Sequence, residues 1–147
     1  MKFFAAAIAL VAASVANAQD TWANCADKPD ATIDSFINSP SPGCIGKQIC
    51  VTATGQLSAP ITNPSLLIIT GKYLGQTVYT DNHDFCPLLA IHGHPCPVPA
   101  TVTSLTVCVM LKDTIPANVP ANLTIVATNG NGNTLFCQRS LVSAAKC

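Results

Sequence analysis

Residues 48–57 of the chain read QICVTATGQL, and two kinds of side chain alternate along this stretch. Val51 and Ala53 fall on one face of an extended chain and Cys50 and Thr52 on the other, because successive side chains of a strand point to opposite sides. An alternation with a period of two residues is typical of a strand with one buried and one solvated face. The segment therefore predicts a β-strand and not an amphipathic helix.

The same pattern recurs on both sides of this segment, between turn residues. Eleven prolines and eight glycines divide the chain into short runs rich in Val, Ile and Thr, which is typical of a β-sandwich. The sequence NGNGN at 129–133 tolerates positive φ angles and predicts a hairpin turn. The predicted strands are 32–38, 48–57, 65–73, 76–80, 100–111, 122–128 and 134–142, with a loop over 81–99. We therefore predict an all-β sandwich of two antiparallel sheets with about seven strands.

The first 18 residues have the features of a secretory signal peptide. Lys2 supplies a positive charge, residues 3–15 form an apolar run, and the small residues at 16–18 form a cleavage site. The apolar run is too short for a membrane-spanning helix, which needs about 20 residues. We therefore expect a signal peptide at 1–18 and one domain at 19–147, in a protein that is secreted or enters the lumen of the secretory or vacuolar pathway.

The charge of the predicted mature chain is close to zero. Without Lys2, six basic residues face seven acidic ones, a formal charge of −1, and all seven acidic residues are Asp. Nucleic-acid binding needs concentrated Lys and Arg, so we expect no nucleic-acid partner. We expect a monomer without a cofactor.

Eight cysteines follow the predicted signal peptide. An even number of cysteines in an exported chain indicates a disulfide framework. Eight cysteines can pair in about 105 ways, so their number alone does not give the pairing.

The sequence gives little support to catalysis or metal binding. It has no G-x-S-x-G or H-E-x-x-H motif and no Glu for a pair of catalytic carboxylates, so we do not expect an enzyme. Three histidines and two aspartates share the predicted loop, and a His-x-His pair can bind a metal. We expect a solvated loop without a metal at these residues: His83, His92, His94, Asp81 and Asp84.

Short segments along most of the predicted mature chain follow one another in a familiar order. They are Asn24-Cys25, SPSPG at 39–43, VTATGQL at 51–57, Asp84-Phe85-Cys86, Cys96-Pro97-Val98, Ile115-Pro116 and Leu135-Phe136-Cys137. In this order and spacing the chain resembles the MD-2-related lipid-recognition (ML) domain, and within it the Niemann–Pick type C2-like and fungal phosphatidylglycerol/phosphatidylinositol transfer proteins. The resemblance implies an immunoglobulin-like sandwich whose interior takes up a sterol or a phospholipid tail.

The resemblance also implies two disulfides, Cys25–Cys137 and Cys86–Cys96. Cys50 and Cys108 lie on the polar faces of the second and fifth strands, which are antiparallel neighbours in an immunoglobulin-like order. Opposed residues there have Cβ atoms about 4.5–5.5 Å apart, near the distance that a disulfide needs. We therefore expect Cys50–Cys108, which leaves Cys44–Cys147. The pairing Cys44–Cys50 with Cys108–Cys147 stays open as the alternative.

A lipid in such a sandwich lies against the inward faces that the alternation assigns. The residues expected to line the cavity are Val51, Ala53, Leu67, Ile69, Tyr73, Val78, Leu105, Val107, Val109, Ile115, Leu123, Ile125 and Leu135. Ile115, next to Pro116, resembles a residue at the mouth of the cavity in the family. Lys72 and Lys112 are the only bases near the relevant strand ends, which favours a sterol or another weakly polar lipid over an anionic phospholipid.

Two further expectations concern glycosylation and function. Asn122-Leu123-Thr124 is a sequon for N-glycosylation at Asn122. The expected function is to carry one lipid between membranes, with transient membrane contact. The alternative is a secreted, cysteine-rich interaction or effector protein whose sandwich is filled and binds no lipid.

Overall fold

The computed structural model describes residues 19–147, so the predicted signal peptide lies outside the described residues. The elements are β1 (Ala23–Asn24), β2 (Ala31–Ser39), β3 (Gly43–Cys44), β4 (Gln48–Leu57), β5 (Leu66–Tyr73), β6 (Gln76–Asp84), α1 (Phe85–Ile91), β7 (Ser104–Met110), β8 (Ala121–Thr128), β9 (Thr134–Val142) and β10 (Ala144–Ala145). Within the described part of the chain, no helix combines the length and the hydropathy that crossing a membrane requires.

Two antiparallel sheets form the sandwich. The larger has the strand order β1-β9-β8-β5-β6, and the smaller has the order β2-β4-β7. The seven longer strands correspond to the seven predicted strands, which confirms the all-β sandwich. A short parallel pair, β3 with β10, was not predicted; it joins the C-terminal segment to the turn before β4.

The predicted loop over 81–99 is wrong in its first half. β6 continues to Asp84, and α1 follows directly. The helix forms because Phe85, Cys86 and Leu89 lie on one side of it and are buried against the sandwich. Pro87 is tolerated because it lies in the first turn of the helix, where its missing N–H has no intrahelical partner.

The fifth predicted strand begins later than expected, at Ser104 instead of residue 100. The amide of Val102 donates to the carbonyl of Pro99 over 3.1 Å, which closes a turn. Before this turn, Val98 forms an isolated antiparallel bridge with Ile61. Both of these side chains are fully buried, so this crossing extends the core beyond the ends of β4 and β7.

Aromatic side chains join the two sheets along the edge where β2 faces β9. Phe36 of β2 lies 4.8 Å from Trp22 and 6.0 Å from Phe136 of β9 between ring centroids. Phe136 in turn lies 6.1 Å from Phe85 at the start of α1. We call these four rings the aromatic row. Pairs at such separations stabilise a fold by about 0.5–1.5 kcal/mol each beyond the burial of their surface.

All eight cysteines form disulfides in the described chain: Cys25–Cys137, Cys44–Cys147, Cys50–Cys108 and Cys86–Cys96. These are the expected pairs, and the alternative pairing of Cys44 with Cys50 does not occur in the structure. Cys50 and Cys108 are direct partners in the β4–β7 ladder, with Cα atoms 3.9 Å apart. Four disulfides fit an oxidising compartment.

A buried carboxylate fixes the β8–β9 hairpin to the start of β2. Asp30 is 7% exposed. One of its oxygens accepts from the amides of Asn129 and Asn131 at 2.9 Å each, and the other accepts from Asn133 at 3.1 Å. Burial raises the pKa of this carboxyl, but the three hydrogen bonds outweigh it and hold the pKa below its ordinary value. The turn NGNGN therefore supplies the amides that keep one buried carboxylate ionised.

Asp30 should make the stability of the fold depend on acid. Since its pKa is lower in the folded than in the unfolded chain, its contribution is complete above the unfolded pKa of about 3.9 and is lost as the pH falls through the folded pKa. Asp30→Asn should lower the free energy of unfolding at pH 7 by about 1–3 kcal/mol. It should also flatten the dependence of that free energy on pH below about 5. Urea unfolding at several pH values measures both effects.

The control for this substitution is Asp27→Asn, which removes an exposed carboxylate three residues away. We expect it to change both quantities little. An equal loss in the two variants would contradict the role assigned to Asp30.

Peptide mapping of the non-reduced protein checks the disulfide pairing. Trypsin should release residues 48–72 with Cys50 and residues 73–112 with Cys108. We expect these two fragments to be joined by a disulfide. A bond between residues 48–72 and the fragment that ends at Lys47, which carries Cys44, would contradict the structure.

Candidate functional site

The main cavity lies between the two sheets. Its volume is about 80 Å³, several times the roughly 10–15 Å³ that one water molecule needs. Its walls come from β2, β4 and β7 of the smaller sheet and from β5, β8 and β9 of the larger one. Most of the lining side chains are aliphatic or aromatic, so the cavity offers apolar surface and few partners for water.

Nine of the thirteen expected lipid-binding residues line this cavity. They are Val51, Ala53, Leu67, Ile69, Leu105, Val107, Val109, Ile125 and Leu135. These residues lie on the inward positions of their strands, as the period-two alternation of the sequence predicts. The structure thus brings together side chains from both sheets that are far apart in sequence.

Some residues of the main cavity could not be recognised from the alternation. Ile33 and Phe36 of β2 both line it, although their spacing of three residues should place them on opposite faces. A register irregularity between Ile33 and Ser35 moves the rest of β2 by one position. Phe36 therefore points inward, and Ile37 is 47% exposed.

A second cavity follows the first towards the β5–β6 turn. Its volume is about 60 Å³. Three expected lipid-binding residues, Val78, Ile115 and Leu123, line this second cavity and not the first. Gly71 and Tyr79, which were not among the expected residues, also line it.

Tyr73 was expected to line the lipid cavity, and this expectation is wrong. Its side chain is 40% exposed, and it lines neither cavity. A β-bulge shifts the β5–β6 register between Gly71 and Lys72. The extra residue is Val78 of β6, and a bulge increases the local twist of the strand pair, so the end of the hairpin turns away from the space between the sheets.

The main cavity reaches the protein surface at the end where β4 finishes and β7 begins. Gln56, Thr103 and Ser104 line the cavity and are also exposed. The amide of Gly55 donates to the carbonyl of Thr103 over 2.9 Å at this rim. Gly55 is required here, because a Cβ atom at this position would collide with the carbonyl oxygen of Thr32.

Four polar side chains meet beside the second cavity, and we call them the polar cluster: Tyr79, Asp81, His83 and Lys112. One oxygen of Asp81 lies 2.9 Å from Nε2 of His83 and accepts from the hydroxyl of Tyr79 at 3.3 Å. The other oxygen lies 2.8 Å from Nζ of Lys112. Nζ also donates to the carbonyl of Thr80 over 2.7 Å and lies 5.5 Å from the centre of the Tyr79 ring.

The polar cluster fixes the charge of its carboxylate. Burial raises the pKa of Asp81, but hydrogen bonds and charge from Lys112 and His83 outweigh burial and hold that pKa below its ordinary value. Burial, together with the adjacent Asp81 charge, raises the pKa of Tyr79. The cluster therefore contains an ionised carboxylate, an ammonium group and a neutral phenol.

The histidines considered as metal ligands have other contacts or are apart. His83 binds Asp81, whereas His92 accepts from the amide of Cys108 over 3.1 Å. Among residues 19–147, no group of three His, Cys, Asp or Glu side chains is placed to hold a metal ion. The predicted glycosylation residue, Asn122, is exposed near the start of β8; its modification stays a prediction.

Comparison with known proteins places this geometry in a family. The family model for the ML domain matches residues 19–144. No curated protein matches the chain in sequence. Among solved structures, the chain is similar to a Niemann–Pick type C2 protein from the Japanese carpenter ant, with a TM-score of 0.65 and 16% identity over 84% of this chain and 98% of that one.

Two further solved structures are similar at lower scores. The C-terminal domain of wzt has a TM-score of 0.53 and 14% identity, covering 87% of this chain and 79% of that one. Chicken MD-1, complexed with lipid IVa, has a TM-score of 0.47 and 14% identity, covering 84% of this chain and 97% of that one. Because the family model spans nearly all of the described residues, the resemblance seen in the sequence is confirmed, and the chain belongs to the ML-domain family.

Proposed function

We propose that the protein binds one lipid in the main cavity and carries it between membranes, as a secreted protein or in the lumen of the secretory pathway. The observation that carries this proposal is the apolar space between the sheets. Membership of a lipid-recognition family supports it. The four disulfides agree with an oxidising compartment.

Burial of apolar surface supplies the affinity. Removing apolar surface from water is worth about 25 cal/mol per Å², so covering about 300 Å² of a sterol or an acyl chain would contribute roughly 7 kcal/mol. Part of this gain is offset by the loss of translational and rotational freedom on binding. The lipid therefore needs no strong directed contact to its apolar part.

The edge of the sandwich between β6 and β7 is the candidate route by which a lipid enters. β6 and β7 are edge strands of different sheets and share no backbone ladder. The contacts that connect them come from the polar cluster, through Lys112 and Asp81, and from His92 at the end of α1. The opposite edge contains the aromatic row. We therefore propose that β7 moves relative to β6 during uptake, while the β2–β9 edge keeps its packing.

Native mass spectrometry after mild extraction tests whether a lipid is carried. We expect the intact, secreted protein to retain one lipid molecule per chain, which solvent extraction should remove. A protein that stays free of lipid after extraction and after incubation with vesicles would instead fit an interaction protein with a filled sandwich.

A substitution inside the main cavity tests the location of the site. Val107→Phe places a larger side chain among the lining residues of β7 and should lower the uptake of a fluorescent sterol or phospholipid by at least about tenfold. The matched control is Met110→Phe, on the same strand but 57% exposed, which should bind as the unchanged protein does. Circular dichroism and thermal unfolding check that both variants fold. Unchanged uptake by a folded Val107→Phe variant would place the site elsewhere.

A further inference from the structure

The second cavity continues the main cavity along the same strands. On β5, Ile69 lines the main cavity and Gly71 the second; on β8, Ile125 lines the main cavity and Leu123 the second. Residues two apart on a strand point to the same side and lie about 7 Å apart. An extended lipid in the main cavity therefore directs one of its ends towards the second cavity.

The polar cluster connects the second cavity with solvent. Tyr79 lines the cavity and is 8% exposed, whereas the side chains of Asp81, His83 and Lys112 are 12%, 30% and 46% exposed. The carbonyl of Lys112 accepts from the amide of Ile115 over 3.2 Å, and Ile115 lines the same cavity. The cluster and the second cavity thus share a wall, and polarity increases outwards from that wall.

The other end of the main cavity offers a different environment to a polar group. Gln56, Thr103 and Ser104 line the cavity there, and they are exposed and uncharged. A polar group at that end would therefore stay in contact with water and meet no fixed charge. By contrast, the side chain of Asp81 is 12% exposed and is paired with Lys112. Charge can therefore discriminate between polar groups at the cluster and not at the mouth of the main cavity.

Charge decides which polar group fits there. Lys112 is already paired with the ionised carboxylate of Asp81 at 2.8 Å. An anionic headgroup could reach this ammonium only by competing with Asp81, and it would then lie beside that carboxylate in a partly desolvated site, where repulsion is strong. An uncharged hydroxyl can instead donate a hydrogen bond to the carboxylate.

We infer that the second cavity and the polar cluster hold the polar end of the lipid, and that the Asp81–Lys112 pair selects an uncharged, hydroxyl-bearing lipid over an anionic phospholipid. This inference rests on the proposed function, because it requires a lipid in the main cavity. Asp81 and Lys112 would then determine which headgroup is accepted, whereas the main cavity would supply the affinity for the apolar part of the lipid.

The test compares two probes on the unchanged protein and three variants at neutral pH. The probes are a fluorescent sterol and a fluorescent phosphatidylglycerol, presented in otherwise neutral phosphatidylcholine vesicles, and the quantity is the ratio of phosphatidylglycerol to sterol uptake. Asp81→Asn leaves Lys112 without its carboxylate and should raise this ratio by about fivefold or more. Lys112→Met leaves the carboxylate alone and should lower the ratio. The double variant restores neutrality and should return the ratio towards that of the unchanged protein.

The matched control is Asp84→Asn, which removes the same charge from the exposed face of the same strand and should leave the ratio unchanged. The same ratio in all four proteins, or an equal shift in the Asp84 variant, would overturn the inference. The proposed function would still stand as long as the unchanged protein takes up the sterol. If Asp81→Asn does not fold, the change of ratio in Lys112→Met decides by itself. If the unchanged protein takes up neither probe, the proposed function fails and this inference fails with it.

Discussion

The space between the sheets depends on the aromatic row that joins β2 and β9. Phe36 and Phe136 pack across the sandwich there, with Trp22 on one side and Phe85 on the other. Large rings at one edge set the separation of the sheets, and the smaller aliphatic side chains farther in do not fill the gap that this separation creates. Protein interiors normally close to a packing density near 0.75, so an apolar space persists only where the surrounding strands are prevented from collapsing.

Much of the fold could be predicted from the sequence because its signals are local. Alternation in 48–57 and the turn NGNGN each depend on a few neighbouring residues, and both appear in the structure at the expected places. The departures arise where a local rule is interrupted. One irregularity in β2 brings Phe36 inward, and another at Gly71–Lys72 leaves Tyr73 exposed. The extra residues of the two bulges, Asp34 in β2 and Val78 in β6, are neither glycine nor proline, so the sequence of neither strand marked the position of its bulge.

The candidate site was predictable on its apolar side and not on its polar side. Aliphatic residues on inward positions follow from the strand pattern, and nine of those expected line the main cavity. The polar cluster joins β6 to Lys112, a residue after β7. Because residues 81–99 were predicted to be a loop, the alternation was not applied to Asp81 and His83, and their inward positions were not predicted. Contacts between distant segments need the topology, and only the structure supplies it.

The positions of two disulfides determine how the molecule would carry a mechanical load. Cys25 lies near the start of the described chain and is bonded to Cys137, and Cys147 at the end of the chain is bonded to Cys44. Tension applied between residue 19 and the C-terminus would pass from Cys25 directly to Cys137 and then along the final segment. Most of β2 to β8 lies outside this covalent path. Stretching the oxidised protein should therefore disturb the end of β9 and β10, while the strands from β2 to β8 bear little force.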